Sequence, residues 1–277
     1  MERRSEKQEP GHVRGENHVE EDTGQGYNEK FARVYSLRWG GFASSVAPHI
    51  HALYQSLPIA SSNKRLLDIA CGTGQLITWF LERGFACTGI DASSYMLALA
   101  RTNAGHYAEE GKARFIQADA AGFDSEGGFG LAVSTFDALN HLPGREGLRS
   151  CFACTFRVLE PGGCFLFDLN TIKGLKLWNS LTVEETDELF ILNRGIFEEG
   201  MPRAFNKITG FMRIDGERYE RFEQTAYNTA FSMKQTGEDL SAAGFRGVYF
   251  ASLKDLSAPV EDPEELTRAF VVARKPE

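Results

Sequence analysis

Asp68-Ile69-Ala70-Cys71-Gly72-Thr73-Gly74-Gln75 has the make-up of a ligand-binding turn. A carboxylate precedes two glycines spaced by one residue. Glycine lets a backbone approach a nucleotide-like ligand closely and take up positive φ. The dinucleotide fingerprint G-x-G-x-x-G would put glycines at 70, 72 and 75. The chain has Ala70, Gly72 and Gln75 there, which disfavours a nicotinamide or flavin site. A second carboxylate, Asp91, closes the next apolar run. An acidic side chain at the end of a second strand can accept both hydroxyls of a ribose. Capping the following helix is the alternative role for Asp91, and Ser93 already supplies that cap.

Other reactive side chains read more plainly. Cys151 and Cys154 form a lone C-x-x-C, but zinc needs a second pair or nearby histidines. The pair falls inside a helical pattern at 148–159, so both read as small apolar helix residues. Cys71, Cys87 and Cys164 bring the count to five, and an odd count favours free thiols. His49 and His51 alternate beside Pro48 with no further ligand and read as surface residues. No metal site is expected.

These residues need elements to hold them. Short apolar runs at 65–70, 87–91, 113–117, 129–134 and 163–168 read as buried strands, with helical periods at 76–81, 93–103 and 146–159. Such alternation means βαβ units, right-handed crossovers and a largely parallel sheet. Ahead of it, Tyr27, Phe31, Val34, Tyr35 and Leu37 keep a helical period, and a second helix is expected at about 50–57, ended by Pro58. After Asn170 a two-residue period takes over, with Asp215-Gly216 as a hairpin turn and 218–223 alternating like a sheet wet on one face. Helix and strand patterns resume at 238–243, 248–251 and 269–274. The expected organisation is one α/β domain, 27–170 with 232–277, interrupted by an antiparallel insert at 171–231. A disordered tail at 1–26 precedes it, with only Met1, Val13 and Val19 as sizeable apolar residues.

Composition narrows the classes. The 277 residues, 42% hydrophobic and 25% charged, are globular in balance and suit one large α/β domain or one domain with a cap. No run approaches the ~20 apolar residues of a membrane span, and Met1-Glu2-Arg3-Arg4 does not open a secretory leader. A soluble, cytoplasmic protein is expected. A net charge of −8 without a dense Lys/Arg cluster speaks against nucleic acid as the partner.

The 68–75 loop resembles the first motif of the class I S-adenosylmethionine-dependent methyltransferases. The likeness continues in order and spacing. It takes in Gly89-Ile90-Asp91-Ala92-Ser93 with Met96 and Leu97, then Gln117-Ala118-Asp119-Ala120 and Leu159-Glu160-Pro161-Gly162-Gly163. It ends in Ala269-Phe270-Val271-Val272-Ala273-Arg274-Lys275, so that it spans roughly residues 27–170 and the last forty. Within that superfamily the chain is similar to the small-molecule branch, aminosugar N-methyltransferase relatives included. Tyr27-x-x-x-Phe31-Ala32-x-x-Tyr35 is similar to a helix that covers the cofactor, with Ser36 where an acidic residue is usual. Phe136-Asp137-Ala138-Leu139-Asn140-His141-Leu142 is similar to the stretch after strand four, where an aromatic often replaces His141. Ser134-Thr135-Phe136-Asp137 stands where nucleic-acid amino-methyltransferases carry Asn/Asp-Pro-Pro-Tyr/Phe, so base methylation is not expected.

The resemblance implies a Rossmann-like, doubly wound seven-stranded sheet, mostly parallel with one antiparallel edge strand, plus the small antiparallel insert. It implies S-adenosylmethionine across the carboxyl ends of the first four strands. Asp68, Ala70, Cys71, Gly72 and Gly74 would form its loop, Asp91, Ala92 and Met96 its ribose side, and Asp119, Ala120 and Ser134 its far side, with Tyr27 and Tyr35 as lid. Read as residues alone, Asp68 either reaches the methionine amino group or binds loop amides, and Asp119 either meets adenine or joins Asp124 in an acidic loop. Met96, Tyr27, Phe31 and Tyr35 fit a helix core equally well. His141 is a candidate general base or a structural imidazole. A small-molecule acceptor, taking the methyl on nitrogen or oxygen, would meet Asn140, Asp168, Asn170 and Phe222. The insert aromatics, Trp178 among them, either line that pocket or hold the insert to the sheet. The rival reading is an S-adenosylmethionine-binding regulatory or scaffolding protein without transfer. The expected assembly is a monomer or homodimer, with no nucleic-acid or membrane partner.

Overall fold

The computed structural model describes residues 27–198 and 200–277; the tail expected at 1–26 lies outside them. Two helices come first, α1 (Glu29–Arg38) and α2 (Gly41–Gln55). Strands and helices then alternate: β1 (Arg65–Ile69), α3 (Gln75–Leu81), β2 (Ala86–Asp91), α4 (Ser94–Ala104), α5 (His106–Glu109), β3 (Ala113–Gln117), β4 (Phe129–Ser134), α6 (Arg145–Val158) and β5 (Leu159–Asn170). A short α7 (Ile172–Lys176) leads into β6 (Leu181–Glu185), β7 (Leu189–Ile196), β8 (Arg203–Asp215) and β9 (Arg218–Thr229). The chain closes with α8 (Met233–Ala242), β10 (Arg246–Ala251) and β11 (Arg268–Arg274).

Local chemistry sets the ends of α1. Asn28 Oδ1 accepts from the Phe31 amide at 2.9 Å, with Glu29 in the first turn and Arg38 in the last. The second helix starts at Gly41, well before the expected 50, and carries Pro48 inside it. Pro48 cannot donate to the carbonyl one turn back. Val46, Ala47, Ile50, Leu53 and Tyr54, buried along one face, offset that loss.

The main sheet runs β10-β11-β5-β4-β1-β2-β3. Strands β3, β2, β1, β4 and β5 are parallel, whereas β11 runs against both β5 and β10. The reversed strand was expected at the edge and lies one strand in. Its residues Ala269 to Ala273 are all buried, too apolar a run for an edge. The half-exposed β10 takes the edge instead. Chain order reverses between β1 and β4, which opens a crevice at the strands' carboxyl ends. One core layer gathers Ile50, Leu66, Ile77, Phe80 and Val133; the opposite face gathers Leu67, Ile69, Phe152, Phe165 and Val271.

The second sheet is an antiparallel meander, β6-β7-β8-β9. Its hairpin centre falls one residue later than expected, at Gly216 and Glu217. Asp215 pairs with Arg218 across it in register and as an ion pair. Leu189, Ile191, Ile208, Met212 and Phe222 from this sheet cluster with Phe31 and Val34 of α1. The first helix therefore packs against the insert as well as against α4.

Candidate functional site

The turn between β1 and α3 leaves the sheet through Ala70, Gly72 and Gly74, all at positive φ (56°, 55° and 78°). Gly74 is packed so closely that a Cβ there would lie 3.0 Å from the Ala100 Cβ, and one at Gly72 would touch the Tyr35 ring at 3.6 Å. The loop is pinned from the next strand: the Gly72 amide donates to Asp91 Oδ2 at 2.9 Å and the Ser93 amide to Oδ1 at 2.8 Å. Burial raises the Asp91 carboxyl above its ordinary range, against the pull of those two amides. Ser93 caps α4 by accepting from the Met96 amide, and its hydroxyl donates to the Tyr27 carbonyl at 2.9 Å. One side chain thus ties the cofactor-side helix to the start of α1. Tyr27 stacks on Tyr35 at 5.9 Å and meets His141 edge-on at 6.2 Å.

These groups face a cavity of about 710 Å³ at the crevice. Of the expected cofactor residues, Tyr27, Tyr35, Ala70, Gly72, Asp91, Ala92, Met96, Asp119 and Ala120 line it. Asp68, Cys71, Gly74 and Ser134 stand behind the lining. Asp68 is buried with Oδ1 unpartnered, and burial and the nearby Asp91 push its carboxyl well up. The Ser134 hydroxyl is likewise buried without a partner. Asp119 Oδ1 accepts from the Ala121 amide at 2.8 Å.

The other half of the cavity is lined by His141 and Asn170, by Trp178, and by Asn206, Ile208, Ala226 and Tyr227 of the second sheet. Burial lowers the His141 pKa, opposed by Asp137 and by a hydrogen bond to the Tyr227 backbone. Three expected acceptor residues do not line the cavity. Asn140 is fully buried: its amide donates to the carbonyls of Asn170 (3.2 Å) and Thr229 (2.9 Å), and its Oδ1 accepts from the Asn170 amide at 2.9 Å. Asp168 is also fully buried and accepts from the Phe136 and Asp137 amides and from Arg268. Phe222 points into the cluster against α1.

Sequence reading passed over Arg268, which lines the cavity and pairs with Asp137 at 2.7 Å and with Asp168. Asp137 lay inside a stretch already singled out, but a lone arginine opening an apolar last strand gave no hint of its two partners. Asn206 and Ile208 were hidden in an alternation that told inside from outside without telling which end faces the site, whereas Tyr227 is one of the insert aromatics for which pocket lining was one of two readings. Among the described residues, no cluster of His, Cys, Asp or Glu is placed to hold a metal, and no helix is long and apolar enough to cross a membrane.

Comparison with known proteins agrees with this geometry. Residues 66–163 match a family model described as "Methyltransferase domain". The chain is 32% identical over 186 residues to "Putative methyltransferase YqeM" of Bacillus subtilis (strain 168), covering 66% of this chain and 73% of that one. Among solved structures it resembles an S-adenosylmethionine-dependent methyltransferase from Clostridium acetobutylicum ATCC 824, with TM-score 0.70, 24% identity, and 90% and 98% of the two chains covered. It also resembles the sugar N-methyltransferase KedS8 from Streptoalloteichus sp ATCC 53650, with TM-score 0.71, 18% identity, and 100% and 99% covered. The chain belongs to the methyltransferase family and is built on the fold of the S-adenosylmethionine-dependent enzymes.

Proposed function

We propose that this protein transfers a methyl group from S-adenosylmethionine to a nitrogen or oxygen of a small-molecule acceptor. The observation that carries the reading is one cavity joining two unlike halves, a glycine turn with Asp91 on one side and His141 with the second sheet on the other. The residues fit the donor. Gly72 leaves room for close backbone approach, the Asp91 oxygens suit a ribose diol, and the buried, unpartnered Asp68 Oδ1 behind the turn could take a hydrogen bond relayed through water from an amino group. Met96 and Asp119 line the same cavity and would hold the adenine base, and Tyr27 and Tyr35 would cover it.

When bound, the sulfonium supplies an electrophilic methyl, so the protein's work is to align the acceptor and keep water out. Tyr27, Phe31, Tyr35 and Trp39 form an aromatic wall for that purpose. His141 takes the proton that the acceptor nitrogen or hydroxyl must shed. With one ring nitrogen engaged by the Tyr227 backbone, the neutral imidazole carries its lone pair on the other. The segment 171–231 serves as the acceptor cap through Asn206, Ile208 and Tyr227.

The test has two stages. Thermal shift with S-adenosylmethionine, S-adenosylhomocysteine and NAD should stabilise the protein with the first two only. A screen of amines and alcohols should then yield S-adenosylhomocysteine with at least one class. Stabilisation by NAD alone would sink the donor assignment. Tight donor binding with no turnover across the screen would instead favour a binding protein without transfer.

A further inference from the structure

The loop after β4 passes through two successive non-glycine residues in the left-handed region, Phe136 at φ 65° and Asp137 at φ 49°. Side chains rarely adopt that conformation, and it persists only where the surroundings hold it. The holding groups come from three distant segments. Asp168, near the end of β5, accepts from the Phe136 amide at 2.7 Å and from the Asp137 amide at 2.8 Å, one oxygen to each. Arg268, first in β11, pairs with Asp168 through one nitrogen and with Asp137 Oδ1 at 2.7 Å through the other. Its guanidinium also lies over the rings of Phe42 at 5.0 Å and Phe136 at 5.5 Å, and those rings stack on each other at 4.6 Å. The Asp137 carbonyl accepts from the Asn140 amide at 2.9 Å, which starts the turn bearing His141.

We infer that Arg268 is a positioning residue for methyl transfer: with Asp168 it holds residues 136–137 left-handed, and so fixes the cavity wall between α2 and His141. A planar fork with several donors can span two carboxylates while its face covers two rings; a lysine ammonium cannot do both. The inference rests on the methyl-transfer reading.

Calorimetric titration of the full chain with S-adenosylhomocysteine tests it. Wild type should bind, and Arg268→Gln should bind at least tenfold more weakly while keeping its circular dichroism. Two second-site changes then separate backbone positioning from simple charge balance. Asp137→Gly and Asp137→Ala both remove one of the two carboxylates that lose Arg268, Asp168 keeping its two amides, but only glycine accepts φ near 50° without strain. Adding Asp137→Gly to Arg268→Gln should recover most of the affinity, and adding Asp137→Ala should not. If Arg268→Gln fails to fold, Arg268→Lys, which keeps the charge, should show the same loss and the same order of rescue. Arg268 variants that bind like wild type, or equal rescue by alanine and glycine, would overturn the inference. Wild type that does not bind removes the donor reading and this inference together, whereas a binding wild type with an indifferent Arg268 removes the inference alone.

Discussion

Changing Asp91 to asparagine removes one charge and turns one acceptor into a donor, with almost no change in shape. In the protein each Asp91 oxygen takes a different amide, Gly72 on Oδ2 and Ser93 on Oδ1. An asparagine offers one carbonyl oxygen, so its NH₂ must face one of those N–H groups. Leaving a buried donor unsatisfied costs about 1–3 kcal/mol, which should appear as lost stability in chemical denaturation. Hydrogen bonds from ribose hydroxyls to a charged acceptor are worth about 1.5–3 kcal/mol, so S-adenosylhomocysteine should bind about 10- to 160-fold more weakly. The two losses share a residue but not an assay, since denaturation reads the first and calorimetry on folded protein reads the second. The pH dependence has a definite sign. Burial holds the folded pKa of Asp91 above its unfolded value, so the folded state favours the protonated form more than the unfolded chain does. That stability is present below the unfolded pKa and is lost as pH rises through the folded one. Ligand hydroxyls need the ionised form, so affinity should fall as the medium is acidified through that raised range. A folded Asp91→Asn protein that binds within twofold of wild type would refute the ribose assignment.

Other variants have equally definite outcomes. His141→Gln should lower kcat about 10²- to 10⁴-fold, the usual range for a general base, with little change in donor affinity. The wild-type kcat profile should fall on its acid side with a midpoint below the ordinary histidine pKa of about 6.5, because burial lowers His141; a midpoint above that value would point to another group. Phe222→Ala empties a position only 3% exposed in the cluster with Phe31 and Val34, and should cost about 3–5 kcal/mol in denaturant unfolding. A loss under 1 kcal/mol there would mean that α1 does not depend on the insert. Gly74→Ala combines φ 78° with a Cβ 3.0 Å from that of Ala100, and should lower stability by about 1–3 kcal/mol, whereas an unchanged Tm would argue against the tight α3–α4 contact.

How far the site could be read from the chain depended on whether its partners are local. The 68–75 loop, Asp91 and the strands around them announce themselves because a strand, a turn and a helix start fall within a few residues of one another. The first helix was legible from the period of Tyr27, Phe31 and Tyr35, and a lid role for its tyrosines came only from the family resemblance; the contact of this helix with the second sheet was not legible. Asp168 and Asn140 look like candidate ligand contacts from their places at a strand end and in a turn. Their fully buried hydrogen bonds to Phe136, Asp137, Asn170 and Thr229 depend on segments brought together only by folding. The same holds for Arg268, whose two carboxylates are 100 and 131 residues away in the chain. The place of β11 one strand in from the edge follows from burial on both faces, a property of the assembled sheet that its own residues only suggest.

The Asn140 clamp bears on how this protein can change over evolutionary time. One carboxamide binds the chain at Asn170, where it leaves the main sheet, and at Thr229, where it returns. Asn170 reinforces the junction by donating to Asn228 Oδ1 at 2.9 Å. A segment whose two ends meet at one fixed point can be lengthened, shortened or rewritten at small entropic cost, since closure cost grows only with the logarithm of its length. Between the two anchors, the residues outside the cluster with Phe31 and Val34 should therefore be exchangeable while the half carrying Asp91 and the glycine turn stays as it is. Drift in what the cavity accepts should accumulate between 171 and 227 while Asn140, its two anchors and Asn228 stay put, so that a new specificity is reached by exchanging a part.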